Sequence, residues 1–280
     1  MLLTNYHTHT YFCDGSSKPE AYVEAAINAG FTKLGFSGHA PMPFANTYAI
    51  KKEELTAYCL EINNLKEKYK AQLDIYLALE IDYIPEYSAD FVLFKDNCNL
   101  DYTIGSVHLV SNPENKKLWF IDGGKIEEYD YGLNSIFDGD IRKGVKAFYQ
   151  QTMEMLTTQK LDIIGHMDKI KMNNRNRYFQ PNEKWYQNLV SETLNVIKEQ
   201  QTIVEVNTRG IYKKRSDELF PGIEILKQIN DMQIPVMISS DAHKPEELSS
   251  GLVETRNVLK NIGFAYVCDF DGKVWQEIAI

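Results

Sequence analysis

Short apolar runs alternate along this chain with longer amphipathic segments. The runs are rich in Ile, Val, Leu and aromatic residues, which is typical of strands buried on both faces of a parallel sheet. They cover residues 2–8, 32–37, 74–81, 102–107, 161–165, 202–207 and 235–239, with a further short run at 264–268. The pattern therefore predicts seven parallel β-strands separated by helices.

The segments between these runs carry helix start and stop signals. Ser17-Lys-Pro-Glu20 is a capping box with a proline in the first turn, and Gly30 is placed to end that helix. Apolar residues recur at intervals of three and four in the other segments, as on one face of a helix. These predicted helices cover residues 51–69, 140–159, 182–200, 222–231 and 245–261.

Seven β–α units without a convincing antiparallel hairpin predict an α/β fold built as one parallel barrel. The length of 280 residues suits a single barrel domain over 1–280, although two smaller domains would also fit. Residues 110–139 are the irregular part, since they contain Asn112-Pro113 and Gly123-Gly124. We expect a long loop there, after the fourth strand, that could form a lid.

Composition narrows the possible partners. The 30 Lys and Arg against 39 Asp and Glu give a net charge of −9, which disfavours a nucleic-acid binder. No run is long enough to span a membrane, and the first residues do not resemble a signal peptide. The four cysteines form no CxxC pair, which favours a reducing compartment. We therefore expect a cytoplasmic protein without nucleic-acid or membrane partners, and leave its oligomeric state open.

All six histidines stand within or just after the carboxyl end of a predicted strand. In a parallel barrel that end carries the functional site, because the βα loops open there. A single histidine is usually a buried polar group with a hydrogen-bond partner, but six at one end of successive strands indicate metal binding. They are His7, His9, His39, His108, His166 and His243.

Spacing and the nearby acids support a metal site. Residues two apart on a strand point to the same side, so His7 and His9 converge, as do Asp241 and His243. Glu80 ends an otherwise apolar run, where an unpaired buried carboxylate would be unfavourable. A salt bridge to a barrel lysine is the alternative for Glu80, but a bridge between metal ions explains its position better.

The candidate ligands are histidines and carboxylates without cysteine, a set that suits zinc, manganese or iron. Their number exceeds what one ion needs and favours two or three divalent ions, as in clusters that hydrolyse phosphoesters. The nine candidates are His7, His9, Asp14, His39, Glu80, His108, His166, Asp241 and His243.

At this point the chain resembles the PHP (polymerase and histidinol phosphatase) superfamily, and most of all its stand-alone histidinol-phosphate phosphatases. The HxH opening is shared with amidohydrolases, but the ordered set of motifs is specific. The motifs are His7-Thr-His9, Cys13-Asp14-Gly15, Ser37-Gly-His39, Glu80, Gly105-Ser-Val-His108, Gly165-His166, Glu205-Val-Asn207-Thr and Ser240-Asp241-Ala-His243. The segment Trp119-Phe-Ile-Asp122 favours the histidinol phosphatases over the polymerase-associated members.

This resemblance implies the PHP fold, a distorted (β/α)7 barrel like a TIM barrel, with a trinuclear metal centre. It also implies a phosphomonoesterase that converts L-histidinol phosphate to L-histidinol and phosphate in histidine biosynthesis, with a hydroxide held between two metals as nucleophile. The ligand sets it implies are His7, His9 and Asp241 with Glu80 bridging, then His108 and His166, and finally Asp14, His39 and His243.

Catalytic roles are expected for Asp241, Glu80 and His243. The proton for the leaving alcohol comes from Asp241 or a metal-bound water, and the sequence leaves this choice open. Asp82 and Asp168 each lie two residues beyond a ligand. We interpret them as groups that orient imidazoles or metal-bound water, with helix capping or surface pairing as the equal alternative.

Arginines near the predicted mouth are the candidates for binding the substrate's phosphate, since a guanidinium donates two parallel hydrogen bonds. We predict this role for Arg177, Arg209 and Arg215. Arg209 stands where the family usually has a small residue.

Other functions remain open at this stage. A PHP phosphoesterase could act on another small phosphate ester or on phosphotyrosine peptides. A non-catalytic metal-binding protein is disfavoured by the intact ligand set. An amidohydrolase-type C–N hydrolase lacks the expected carboxylated lysine, because Glu80 takes the bridging position.

Overall fold

The structure, a computed structural model, describes residues 3–280; Leu2, within the first predicted strand, lies outside them. The strands are β1 (Leu3–Asn5), β2 (Phe31–Phe36), β3 (Asp74–Asp82), β4 (Tyr102–Ser106), β5 (Leu109–Ser111), β6 (Leu118–Phe120), β7 (Ile163–Ile164), β8 (Ile203–Asn207), β9 (Val236–Ser239), β10 (Tyr266–Phe270) and β11 (Trp275–Ala279). The helices are α1 (Pro19–Asn28), α2 (Leu55–Tyr69), α3 (Phe91–Cys98), α4 (Ile126–Phe137), α5 (Ile141–Thr158), α6 (Lys171–Asn174), α7 (Lys184–Gln200), α8 (Arg209–Tyr212), α9 (Ile223–Asp231) and α10 (Leu252–Ile262). Within this described part, no helix has the length and apolar character needed to cross a membrane.

Among residues 3–280, seven strands form one parallel sheet in the order β1-β2-β3-β4-β7-β8-β9. Beyond the ends of β1 and β9, Thr8 and Ala242 form a parallel bridge, and the amide of His9 donates to the carbonyl of Ala242. The sheet therefore nearly closes on itself. This confirms the predicted distorted (β/α)7 barrel, in which the two-residue β7 is the shortest strand.

Two antiparallel hairpins, β5–β6 and β10–β11, are present within the described residues, although the sequence pattern gave no convincing sign of either. The prediction of a long loop over residues 110–139 is also wrong, because β6 and α4 lie within it. Trp119, Tyr129, Leu133 and Phe137 are all buried there. The spacing of the last three is helical, but the Asn-Pro and Gly-Gly pairs in this stretch obscured it.

Alternate residues of the barrel strands change character from the amino end to the carboxyl end. Near the amino end they are apolar and pack in one buried cluster, which includes Tyr76, Ala78, Tyr102, Ile104, Ile163, Ile203 and Met237. Two residues further along the strands they become polar, at Glu80, Ser106, Glu205 and Ser239, and these are also buried. Because side chains alternate along a strand, the barrel places an apolar floor directly beneath a polar layer.

The β10–β11 hairpin closes the amino-terminal end of the barrel. The Trp275 ring lies edge-on to the Tyr6 ring, with centroids 5.1 Å apart. The hydroxyl of Tyr6 donates to Asp269 Oδ1 over 2.5 Å, and Lys33 forms an ion pair with the same carboxylate. The hairpin thus completes the apolar floor on the side away from the polar layer.

Gly35 in β2 allows the hydroxyl of Tyr102 to approach the chain and donate to the carbonyl of Tyr6 over 2.5 Å. An added Cβ would overlap that buried hydroxyl, so we expect Gly35→Ala to lower the free energy of unfolding by about 1–3 kcal/mol. Urea denaturation measures the loss. Gly124→Ala is the matched control, because a Cβ there meets no atom within 4 Å. Equal stability of the two variants would contradict this account of the floor.

Candidate metal centre

Glu80 lies near the carboxyl end of β3 and is only 1% exposed. Its Oε2 atom is 3.2 Å from Nε2 of His7, 3.5 Å from Nε2 of His9 and 3.2 Å from Nδ1 of His39. These imidazoles follow β1 and β2, the two strands that precede β3 in the sheet. One carboxylate oxygen therefore faces three ring nitrogens.

The other oxygen of Glu80 faces the opposite side of the barrel. Its Oε1 atom is 3.0 Å from Nε2 of His166 and 3.6 Å from Nε2 of His108, and it accepts a hydrogen bond of 2.6 Å from the hydroxyl of Ser106. The two imidazoles follow β7 and β4. The carboxylate thus lies between two groups of histidines, as the bridging position requires.

A further group lies beside the first, around Asp241. Its Oδ1 atom is 3.3 Å from Nε2 of His9 and 3.4 Å from Nδ1 of His243, whose Nε2 is 3.1 Å from Oδ2 of Asp14. The strand β9 ends at Ser239, and Asp241 has a left-handed backbone with φ of 51°. The local turn, rather than the strand alternation expected from spacing, brings these side chains to the site.

The donor set fits divalent metal ions. Several of its buried atoms have no hydrogen-bond partner among the described residues, and leaving such an atom unsatisfied costs about 1–3 kcal/mol. They include His7 Nε2, His9 Nε2, His39 Nδ1 and Asp241 Oδ1. Ligand atoms within 4.8 Å of one another form the groups His9-Asp14-His39-His243, His7-His9-Asp241 and His39-Glu80-His108. Cations held there would satisfy these atoms together.

All nine predicted ligands meet at this end of the barrel, and their assignment to individual ions stays a prediction. His39 differs from the expected grouping, since its Nδ1 faces Glu80 while its Nε2 is 3.9 Å from Asp14. It lies between two groups, although the family pattern placed it with only one. His166 stays with Glu80 and His108, because its Nε2 is 3.2 Å from the Nε2 of His108.

Burial lowers the pKa of His9 and of His108, but the charged neighbours act in different directions on the two rings. Burial lowers the pKa of His9 to about 3, and the neighbouring His243 and His39 act in the same direction. The neutral ring is the form that binds a metal ion. Burial also lowers the pKa of His108, but the charges of Asp82 and Glu80 outweigh burial and raise it to about 10. The carboxylates of Asp82 and Glu80 therefore favour a positive charge near His108, which a metal ion would supply.

Two carboxylates hold the outer nitrogens of the imidazoles. Glu205 Oε1 is 2.5 Å from Nδ1 of His7, and Asp82 Oδ1 is 2.6 Å from Nδ1 of His108. Each contact orients a ring so that its Nε2 faces Glu80. For Asp82 this is the orienting role expected from the sequence. Glu205 belongs to the motif Glu205-Val-Asn207-Thr, but its orienting role was not predicted. The signal that could have revealed this role is a charged residue inside the buried strand β8.

The prediction that Asp168 orients an imidazole or a metal-bound water is not supported. Its Oδ2 atom pairs with Nζ of Lys171 at 2.8 Å and accepts from the amide of Gly222 at 3.0 Å. The strand β7 ends at Ile164, and the chain turns immediately after His166, so the alternation of a strand no longer applies.

A cavity of about 360 Å³ opens above the centre, and Arg209 and Arg215 line it. Their contact with a phosphate stays a prediction. The Nη1 atom of Arg209 donates to the carbonyl of Asp241 over 2.8 Å. The prediction for Arg177 is not supported. It forms two hydrogen bonds of 2.7 Å to Asp130 on α4, and it is not among the described residues that line the cavity.

The structure adds residues that the sequence did not single out. Lys169 is almost fully buried, lines the cavity, and has its Nζ 3.2 Å from Oδ2 of Asp122. Tyr48 and Phe120 also line it, with their rings stacked 5.9 Å apart and 7° from parallel. A lone lysine after a histidine and aromatic residues in loops carry no distinctive spacing, so nothing in the sequence distinguished them.

A family model, PHP domain, matches residues 5–209. This span includes five of the seven barrel strands whole, β2, β3, β4, β7 and β8, the last residue of β1, and most of the site. The chain therefore belongs to the PHP domain family.

Curated relatives extend the similarity over nearly the whole chain. A histidinol-phosphatase of Bacillus subtilis is 28% identical over 249 residues, which are 85% of this chain and 92% of that protein. A probable histidinol-phosphatase of Deinococcus radiodurans is 26% identical over 265 residues, 93% of this chain and 94% of that protein.

A solved structure shares the fold. The histidinol phosphate phosphatase of Lactococcus lactis, solved with zinc, L-histidinol and phosphate, superposes with a TM-score of 0.68 at 20% identity. The match covers 99% of this chain and 100% of the other. At that identity the likeness establishes the fold.

Glu205→Gln tests the orienting contact with His7. The amide keeps the size of the side chain but removes the charge that favours the correct ring orientation, so we expect metal affinity to fall about 10- to 100-fold. Competition with a chromophoric chelator measures this affinity. Glu192→Gln, on the exposed face of α7, is the control. Unchanged affinity in Glu205→Gln would show that the contact does not position a ligand.

Proposed function

We propose that this protein is a metal-dependent phosphomonoesterase that hydrolyses L-histidinol phosphate to L-histidinol and phosphate. The observation that carries the proposal is the Glu80 carboxylate, which lies between five imidazoles beneath a cavity that Arg209 and Arg215 line. The names of the curated relatives, and the ligands of the Lactococcus lactis structure, support this choice of substrate.

Two or three ions of zinc, manganese or iron would occupy the centre under this proposal. Bound divalent ions lower the pKa of a coordinated water and neutralise phosphate oxygens. The proposed ligand sets are His7, His9, Asp241 and Glu80; then Glu80, His108 and His166; and then Asp14, His39 and His243.

Cationic side chains would hold the phosphate. All the side-chain hydrogen bonds that Arg209 makes with described residues use Nη1, which leaves Nε and Nη2 free to donate to phosphate oxygens. Lys169 and Arg215 add positive charge to the same cavity. Their positive charges offset the net negative charge of the chain at the place where an anionic substrate must enter.

Asp241 is suited to accept a proton. Burial raises the pKa of Asp241, but the neighbouring histidines and Arg209 outweigh burial and hold it well below its usual range. The group is therefore a carboxylate at neutral pH, the form that both a metal ligand and a proton acceptor require. The stacked Tyr48 and Phe120 offer a flat apolar surface against which the ring of the leaving alcohol can pack.

Phosphate release from three esters tests the proposal. The protein is loaded with manganese and given L-histidinol phosphate, p-nitrophenyl phosphate or a phosphotyrosine peptide. We expect kcat/KM for the first to exceed the others by about tenfold or more, because its ring and amine contact the cavity walls. Removing the metal with a chelator should abolish turnover, and manganese should restore it. A preference for the peptide or for the nitrophenyl ester would assign the site to another phosphoester.

Arg209→Ala and Arg177→Ala form a matched pair for the phosphate contact. Loss of a charge-assisted contact to phosphate should raise KM about tenfold or more in Arg209→Ala. Arg177→Ala should leave KM unchanged, since its guanidinium pairs with Asp130 outside the cavity. Steady-state kinetics with L-histidinol phosphate give both values. A KM that rises only in Arg177→Ala would reverse the assignment.

A further inference from the structure

The turn that carries Asp241 and His243 is held from two sides. Ala242, between them, bonds through both its amide and its carbonyl to the chain that follows β1. The carbonyl of Asp241 and the amide of His243 bond to side chains of α8 and of the short 3₁₀-helix Pro245–Glu247. Because these partners are side chains, single substitutions can remove them one at a time.

The carboxylate of Glu247 receives donors from both of these elements, and the residue is only 7% exposed. Its Oε2 atom accepts from the amide of His243 over 3.0 Å and lies 3.4 Å from Nη1 of Arg209. Its Oε1 atom accepts from Nζ of Lys213 over 2.9 Å. Glu247 therefore joins the turn that carries two predicted metal ligands to the residues that follow β8.

Arg209 and Tyr212, at the two ends of α8, hold the same turn by its carbonyl groups. Nη1 of Arg209 donates to the carbonyl of Asp241 over 2.8 Å and to the hydroxyl of Tyr212 over 3.1 Å. That hydroxyl donates in turn to the carbonyl of Ser240 over 3.0 Å. We call the three side chains of Arg209, Tyr212 and Glu247 the turn clamp.

The backbone of Asp241 explains why the turn needs support. Its φ of 51° is left-handed, which is unfavourable for residues other than glycine and persists where neighbouring contacts hold it. If the turn relaxed, Oδ1 of Asp241 would move away from Nε2 of His9, which is now 3.3 Å distant. The proposed reaction gives no role to Glu247 or Tyr212, so the geometry of the ligands is what these two side chains can serve.

We propose that Glu247 is a positioning residue of the metal centre, which acts with the rest of the turn clamp to keep Asp241 and His243 in place to bind metal. The inference rests on the metal-dependent function proposed above. The alternative is that Glu247 only balances the charges of Arg209 and Lys213. A glutamine distinguishes the two, because its amide oxygen can still accept from the amide of His243 although the negative charge is gone.

The affinity of the full chain for manganese, measured by competition with a chromophoric chelator, tests the proposal without reference to turnover. We expect Glu247→Ala to weaken manganese binding about tenfold, because the amide of His243 loses its acceptor and the turn relaxes. Glu247→Gln keeps that acceptor and should lose less than about threefold. Glu246→Ala, at the exposed neighbouring position, is the matched control and should bind manganese as the unchanged protein does.

Tyr212→Phe guards against misfolding of the Glu247→Ala variant, because it removes only a hydroxyl. Loss of the hydrogen bond to Ser240 should weaken manganese binding about fivefold, and circular dichroism shows that the variant is folded.

Three results would overturn the inference: unchanged manganese affinity in folded Glu247→Ala, unchanged affinity in folded Tyr212→Phe, or a Glu247→Gln variant that binds as weakly as Glu247→Ala. The last result would assign Glu247 to charge balance alone. The expected series of manganese affinities without hydrolysis of L-histidinol phosphate would support the positioning role and refute only the proposed function.

Discussion

The Glu80 carboxylate lies among imidazoles that follow four different strands of one barrel, at distances of 3.0–3.6 Å. A charge so deeply buried is costly unless opposite charge surrounds it. The barrel strands place the histidines around this carboxylate. Several of their ring nitrogens have no hydrogen-bond partner among the described residues, and bound cations would satisfy them. The closure of the barrel and the binding of metal are therefore linked, because each supplies what the other requires.

The strand periodicity explains why so much of the centre could be predicted. Residues at the carboxyl ends of parallel strands must meet, so His39, His108 and His166 could be grouped although they are far apart in sequence. The same reasoning predicted the seven barrel strands. It failed for Asp168, because the alternation of a strand ends where the strand ends. It also could not foresee the left-handed turn that aims Asp241.

Residues outside the strands were harder to place. Arg177 and Arg209 have the same chemistry and each follows a barrel strand, yet one pairs with α4 and the other lines the cavity. Their positions depend on how short loops and helices pack, and sequence spacing does not record this. The β5–β6 hairpin was missed for a related reason: strands of three residues are too short to show an alternation.

The hydrogen bond between Tyr6 and Asp269 joins positions 263 residues apart. The amino-terminal strand therefore emerges from the ribosome well before the hairpin that seals the barrel beneath it. Until the hairpin has been synthesised, the aromatic side chains of the apolar floor lack Phe270 and Trp275, which pack against them in the folded protein. Completion of the barrel floor thus depends on a very long-range contact, which a growing chain can form only after β10 and β11 have been synthesised.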